Sequence, residues 1–174
     1  MHAVPGVAAI VVMGVSGAGK STVGKLIAAQ LDCPFRDADS FHPPANIAKM
    51  ASGVPLTDED RQPWLQAIAD WIGEHRAAGT TCVVTCSALK RSYRDLVTGN
   101  QCADVRLVYL KGDMALIEAR LKARKGHFMP PALLRSQFDA LEEPRADERA
   151  IVVSIDATPE EIAARAIEML REAS

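Results

Sequence analysis

The sequence predicts an α/β fold, a three-layer αβα sandwich around a parallel sheet, and three observations carry that prediction. Five short runs rich in β-branched and apolar residues recur: "AAIVVM" (8–13), "CPFRD" (33–37), "CVVTC" (82–86), "VRLVYL" (105–110) and "IVVSI" (151–155). Most lack clean alternation, the habit of strands buried on both faces. Helical patterns lie between them, and strand alternating with helix calls for right-handed crossovers that cover both faces of the sheet.

Taken in order, the first run leads into "KSTVGKLIAAQL", where Val23, Leu26, Ile27 and Leu31 form one apolar stripe. After the brief second run, Leu65, Ile68 and Ile72 repeat the stripe behind Pro63. "EARLKARKGHF" places Arg120 and Arg124 four apart on a helix face. The last helix is marked by Thr158 as N-cap, Pro159 in the first turn and Glu161 three residues after the cap, a capping box ahead of Ile162, Ala166 and Leu170. Segments 38–62 and 122–132 fit the alternation poorly, and each carries paired prolines that interrupt regular structure. They are the expected substrate flap and mobile lid of an otherwise single domain spanning 1–174.

At 174 residues, 48% hydrophobic, the chain can bury one sizeable core but not two independent ones. A net charge of -2 supplies no basic field for a polyanion, so a small ligand is expected rather than nucleic acid. "VAAIVVM", the longest apolar run, is too short to span a bilayer, and the N-terminus lacks the pattern of a signal peptide. A cytoplasmic location with no membrane partner is expected. Cys33, Cys82, Cys86 and Cys102 are expected as reduced residues in or near the core, because two of them lie in or beside a strand-like run.

"GVSGAGKS" (14–21) matches G-x-x-x-x-G-K-[ST] between a buried-strand pattern and an amphipathic helix, as phosphate binding requires. Gly14, Gly17 and Gly19 let backbone N–H groups of the loop, through Val15, Ser16 and Ala18, converge on phosphate oxygens. Lys20 can reach the β- and γ-phosphates, and Ser21 can place its hydroxyl on Mg²⁺. The absence of an Asn-Lys-x-Asp tetrapeptide disfavours a GTPase, and Asp156, which would suit a motor ATPase, reads as a loop residue opening the last helix. A small-molecule kinase needs an acceptor site, a basic lid and an orienting carboxylate. Asp37 and Asp39, at the end of the second strand, serve the last need: Asp37 toward Mg²⁺, Asp39 toward an acceptor hydroxyl. Arg120 and Arg124 suit the lid.

"MGVSGAGKS" (13–21), "DADSFHPPANIAKMASGVPLTDEDRQPWL" (37–65), "CSALKRSYRDLV" (86–97), "VYLKGD" (108–113), "EARLKARKGHFMP" (118–130) and "EEPRADE" (142–148) together resemble the gluconokinases, within the wider group of shikimate and adenylate kinases. The resemblance implies transfer of the ATP γ-phosphate to the 6-hydroxyl of D-gluconate with Mg²⁺, sheet order 2-3-1-4-5, and a homodimer. It also implies Thr22 beside the phosphates, Asp39 at the acceptor, Arg61 toward the acceptor carboxylate, Arg120 and Arg124 over adenine and phosphate, and 156–159 lining adenine. Gluconate is a small carboxylate with a row of hydroxyls, and His42, Lys49, Arg61, Lys90, Arg91, Arg94 and Gln137 can supply cationic and hydrogen-bonding partners. His42 reads equally as a turn cap, Lys49 as a solvated charge, and Arg94 with Asp95 as an exposed helix pair. A nucleotide-binding regulatory module without transfer activity is the rival reading, with a shikimate or nucleoside-monophosphate kinase as the alternative among enzymes.

Overall fold

The computed structural model describes residues 4–123 and 131–174. Strand β1 (Ala9–Met13) is the centre of the sheet, and all five of its residues are buried. Ile10 and Val12 pack toward helices α1 (Lys20–Leu31) and α7 (Pro159–Glu172), whereas Ala9, Val11 and Met13 pack toward α3 (Asp58–Ala78). Two apolar faces explain why the run shows no polar alternation.

Strands β2 (Phe35–Asp37), β3 (Cys82–Thr85), β4 (Val105–Lys111) and β5 (Ile151–Ser154) complete an all-parallel sheet in the order β2-β3-β1-β4-β5, as the resemblance implied. Edge strand β5 does alternate: Ile151 and Val153 are buried beside α7, while Val152 and Ser154 are exposed. The register aligns Asp37 with Thr85 and Thr85 with Val12, bringing three strand ends to one carboxyl edge.

The segment 38–62 is more regular than its prolines suggest. After a 3₁₀ turn at Ala38–Phe41, Pro44 opens α2 (Pro44–Ala51) as its first residue, where a fixed φ suits a helix and no N–H is needed. Helix α3 begins before Pro63, at Asp58. Its capping box joins Thr57 Oγ1 to Asp60 N (3.1 Å) and Thr57 N to Asp60 Oδ2 (2.9 Å), offsetting the one bond Pro63 cannot donate. The Thr158–Glu161 capping box forms as expected, at 3.2 and 3.0 Å. Helices α4 (Arg91–Val97), α5 (Met114–Ala123) and α6 (Pro131–Ala140) complete the fold. Of the expected lid, 124–130 lies outside the described residues, and Arg124 with it.

All four cysteines are free thiols. Burial pushes Cys82 and Cys86 up to about 12 and Cys33 up to about 11, so none of these three presents a thiolate at neutral pH.

Candidate active site

The phosphate loop leaves β1 at Gly14, whose N–H donates to Ser87 O at 3.3 Å and so ties the loop to the segment after β3. Gly19 has φ +90°, a left-handed conformation that a side chain would strain. Gly17 approaches α5 so closely that a Cβ would lie 3.0 Å from atoms of Ile117 and Leu121. No side chain caps α1, which leaves the N–H groups of its first turn for an anion. Lys20 Nζ donates to Gly14 O and Val15 O, both at 3.0 Å. Burial lowers the pKa of this amine, while the Cys86 thiol, Asp37 and Asp39 act in the opposite direction.

Ser21 Oγ donates to Asp37 Oδ2 at 2.7 Å, and Asp37 Oδ1 accepts from Asp39 N at 3.1 Å. Burial raises the Asp37 pKa, but hydrogen bonds from Ser21, the Asp39 N–H and Thr85, with the Lys20 charge, outweigh it and hold the carboxyl below its ordinary value. It is the 3₁₀ turn after β2, rather than strand periodicity, that brings the exposed Asp39 beside Asp37.

A cleft of about 890 Å³ joins the loop to these groups. Ser16, Gly17 and Gly19 to Thr22 form one wall; Asp37, Asp39, His42, Arg61 and Trp64 form another; Ser87, Lys90 and Tyr93 a third; and Leu133 and Gln137 of α6 the last. His42 stacks on Trp64 with ring centroids 4.4 Å apart and planes 10° from parallel, and Trp64 Nε1 donates to Ala38 O at 2.7 Å. Burial, aided by Arg61 and opposed by Asp39, lowers the His42 pKa and favours the neutral ring. A second cavity of about 280 Å³ lies across the loop, lined by Thr22, Arg120, Ala157, Pro159 and Ile162 among others. Arg120 Nη2 donates to the carbonyl oxygens of Ile155 and Ala157.

Comparison with known proteins yields a match of residues 16–171 to the shikimate kinase family model. The thermoresistant gluconokinase of Escherichia coli K12 is 49% identical over 164 residues, covering 93% of each chain. The gluconokinase of Gluconobacter oxydans 621H is 47% identical over 87% of this chain and 84% of its own length. The crystal structure of a gluconokinase from Sinorhizobium meliloti 1021 superposes with a TM-score of 0.85 at 44% identity, covering 95% of this chain and 92% of that one. The chain belongs to the gluconokinase family. Within that family's phosphate-loop kinase fold, the cleft places the loop opposite Asp39, His42, Arg61 and Lys90.

The acceptor set expected for a gluconokinase divides in two. His42, Arg61, Lys90 and Gln137 line the cleft, whereas Lys49, Arg91 and Arg94 do not. Lys49 Nζ pairs with Asp60 at 2.8 Å and, with the Thr57 N–H, lowers the Asp60 pKa to about 2. Arg91 grips Asp147 through Nη1 and Nη2 at 3.1 and 2.5 Å. Arg94 is the sharpest correction, since it is only 1% exposed instead of sitting on a solvated helix face. Its Nε and Nη2 donate to Glu148 at 2.6 and 3.2 Å, and Nη1 donates to Ala88 O and Leu89 O at 2.8 and 3.2 Å. A buried guanidinium needs this full set of acceptors. Arg94 therefore shapes the loop that carries Lys90 instead of facing a ligand.

Tyr93 in the cleft wall and Asp58 beside it stand outside the set expected from the sequence. Asp58 lies 3.7 Å from Arg61 Nη1 and 3.4 Å from Lys90 Nζ, and it accepts from Tyr93 Oη, which itself accepts from Arg61 Nη1 at 3.3 Å. Asp58 and Tyr93 thus hold both cleft cations. The signals were present in the spacing, Asp58 three residues before Arg61 on one helix and Tyr93 three after Lys90.

Proposed function

We infer that the protein is an ATP-dependent gluconokinase, transferring the γ-phosphate of ATP to the 6-hydroxyl of D-gluconate to give 6-phospho-D-gluconate and ADP. The observation that carries this reading is the single cleft in which the phosphate loop, Asp39 and the Arg61–Lys90 pair face one another, in a chain 49% identical to a gluconokinase.

In this reading, backbone N–H groups from Gly17 onward and Lys20 hold the β- and γ-phosphates, and the Arg120 side of the loop takes the adenosine. Arg61 and Lys90 receive the gluconate carboxylate, with Asp58 and Tyr93 keeping the two cations in place. His42, neutral and braced on Trp64, offers a hydrogen bond to the polyol chain. The 6-hydroxyl oxygen bonds to the γ-phosphorus as the bond to the ADP oxygen breaks, and its proton passes to Asp39 late in the transfer. Arg124 is assigned to the same phosphates by resemblance alone.

Ser21 Oγ and Asp37 Oδ2, 2.7 Å apart, are hard oxygen donors of the kind Mg²⁺ prefers. These two residues would hold the ion, which would supply charge neutralisation of the phosphates. The same reading takes 38–62 as the acceptor flap and 122–132 as the lid of one domain. It carries with it a cytoplasmic, homodimeric enzyme with no nucleic-acid or membrane partner. No described helix is long and apolar enough to cross a membrane.

The test is the position of the new phosphate. Phosphorus NMR of a reaction with ATP, Mg²⁺ and D-gluconate should show one phosphomonoester coupled to the two protons of carbon 6. Phosphate on another carbon, or release of inorganic phosphate alone, would overturn the assignment.

A further inference from the structure

We propose that the side-chain hydroxyl of Ser16 is a hydrogen-bond donor to the transferring phosphoryl group, and that Gln137 is the positioning residue that aims it. The proposal rests on the kinase reading above and adds a catalytic side chain to a loop otherwise credited only with backbone N–H groups and Lys20.

Gln137 lies on α6, held against the core by the buried Leu134, and reaches the phosphate loop across 121 positions of sequence. Its Oε1 accepts from Ser16 N at 2.7 Å, and its Nε2 donates to Ser16 Oγ at 2.8 Å. The orientation of this amide is fixed by chemistry. The backbone N–H of Ser16 is only a donor, so the oxygen of the amide must face it and the NH₂ must face the hydroxyl. Ser16 Oγ then accepts from Gln137, and its own hydrogen cannot point back along that bond. Among the described residues Ser16 Oγ has no other partner, and Ser16 lines the cleft shared by Lys20 and Asp39. The hydroxyl hydrogen is thus free to point into the cleft.

The same clamp occupies the N–H of Ser16, so the anion-binding backbone of the loop begins at Gly17. Ser16 contributes through its side chain. A donor fixed in advance and aimed where charge shifts during transfer acts mainly in the transition state, which lowers the barrier without tightening ATP binding. Each arm of the Gln137 amide gives one bond to the loop, so the proposal assigns this residue to Ser16 beside the gluconate contact expected from the sequence.

The experiment measures kcat, the KM of each substrate and ATP affinity for the native enzyme, Ser16→Ala, Ser16→Thr, Gln137→Glu, and Ser16→Ala combined with Gln137→Glu. Gluconate phosphorylation by the native enzyme is the control for the underlying reading, and its absence would defeat that reading before any variant is compared. The proposal expects Ser16→Ala to lower kcat about tenfold to a hundredfold with ATP affinity nearly unchanged. Ser16→Thr keeps the hydroxyl and should recover most of the kcat that Ser16→Ala loses.

Gln137→Glu is the decisive variant. The near-isosteric carboxylate can accept from both the Ser16 N–H and the Ser16 hydroxyl, so it preserves the brace while drawing the hydroxyl hydrogen away from the cleft. It should lower kcat when Ser16 is present and add little when Ser16 is already alanine. A native kcat for Ser16→Ala, or an equal Gln137→Glu penalty in both backgrounds, would overturn the proposal. So would a raised gluconate KM at unchanged kcat, the mark of a direct substrate contact. Should Ser16→Ala fail to fold, loss of kcat in a folded Ser16→Thr enzyme would count against the hydroxyl in the same way.

Discussion

The donor and acceptor sides of the cleft are built on different principles. The donor side is a continuous stretch, 14–22, in which backbone N–H groups, glycine conformations and the end of a buried strand do most of the work. The acceptor side gathers side chains from 37–42, 58–64 and 87–93, each held by partners from other segments. A backbone site draws its donors from one local stretch, so substitutions within that stretch should weigh most. A side-chain site depends on long-range ion pairs, so substitutions well outside the cleft should reach it.

The largest expected effect tests that dependence outside the cleft. Arg94→Ala leaves Glu148 buried and unpaired beneath the 86–90 loop, and removing one partner of such a pair typically costs about 3–5 kcal/mol. Denaturant unfolding should show that loss, while Arg94→Met combined with Glu148→Leu should recover much of it. Equal stability of Arg94→Ala and native protein would remove the pair from the account.

Next comes the donor side itself. Lys20→Ala should cost about a hundredfold or more in kcat with an unchanged circular-dichroism spectrum, because the amine meets charge that moves toward the β–γ bridge. Near-native turnover would undo the loop assignment. Asp39→Asn should separate the two sides: gluconate transfer falls about tenfold to a hundredfold while ATP affinity, measured by titration calorimetry, stays at the native value. A parallel fall in ATP affinity would mean that the sides are not separable.

The smallest effect concerns the flap. The Asp60 pKa is lowered from 3.8 to about 2, first by Lys49 and then by the Thr57 N–H. A depressed carboxyl pKa contributes stability that is complete above pH about 4 and fades as pH falls toward 2. Lys49→Ala should move the Asp60 titration, followed by carbon NMR of the carboxyl, up toward the ordinary value and leave activity at neutral pH within about twofold. A larger change in the gluconate KM would return Lys49 to the acceptor wall.

The same contrast explains what could be read in advance. Strand β1, the phosphate loop and α1 are adjacent in sequence, and their periodicities and glycine spacing state their roles without help from elsewhere. The Thr158 cap was legible for the same reason. Arg94 was misread because its nearest acidic neighbour in sequence, Asp95, is not its partner; Glu148 is 54 residues away and only folding brings it close. Pro63 hid the first turn of α3 because local propensity disfavours a helix there, and the Thr57–Asp60 box overrides it. Gln137 was legible as a polar residue of interest, but its attachment to Ser16 depends on how α6 packs, which no local pattern encodes.

That this cleft joins ATP to a sugar acid is tested most directly by ADP release, measured by a coupled assay with Mg²⁺ and equal concentrations of D-gluconate, shikimate, AMP or glucose. Glucose lacks the carboxylate that Arg61 and Lys90 would receive, so gluconate should exceed it by about a hundredfold or more in kcat/KM. Shikimate and AMP should also fall far behind. Shikimate or AMP as the best acceptor, or tight ATP binding with no ADP formed from any sugar acid, would contradict the claim.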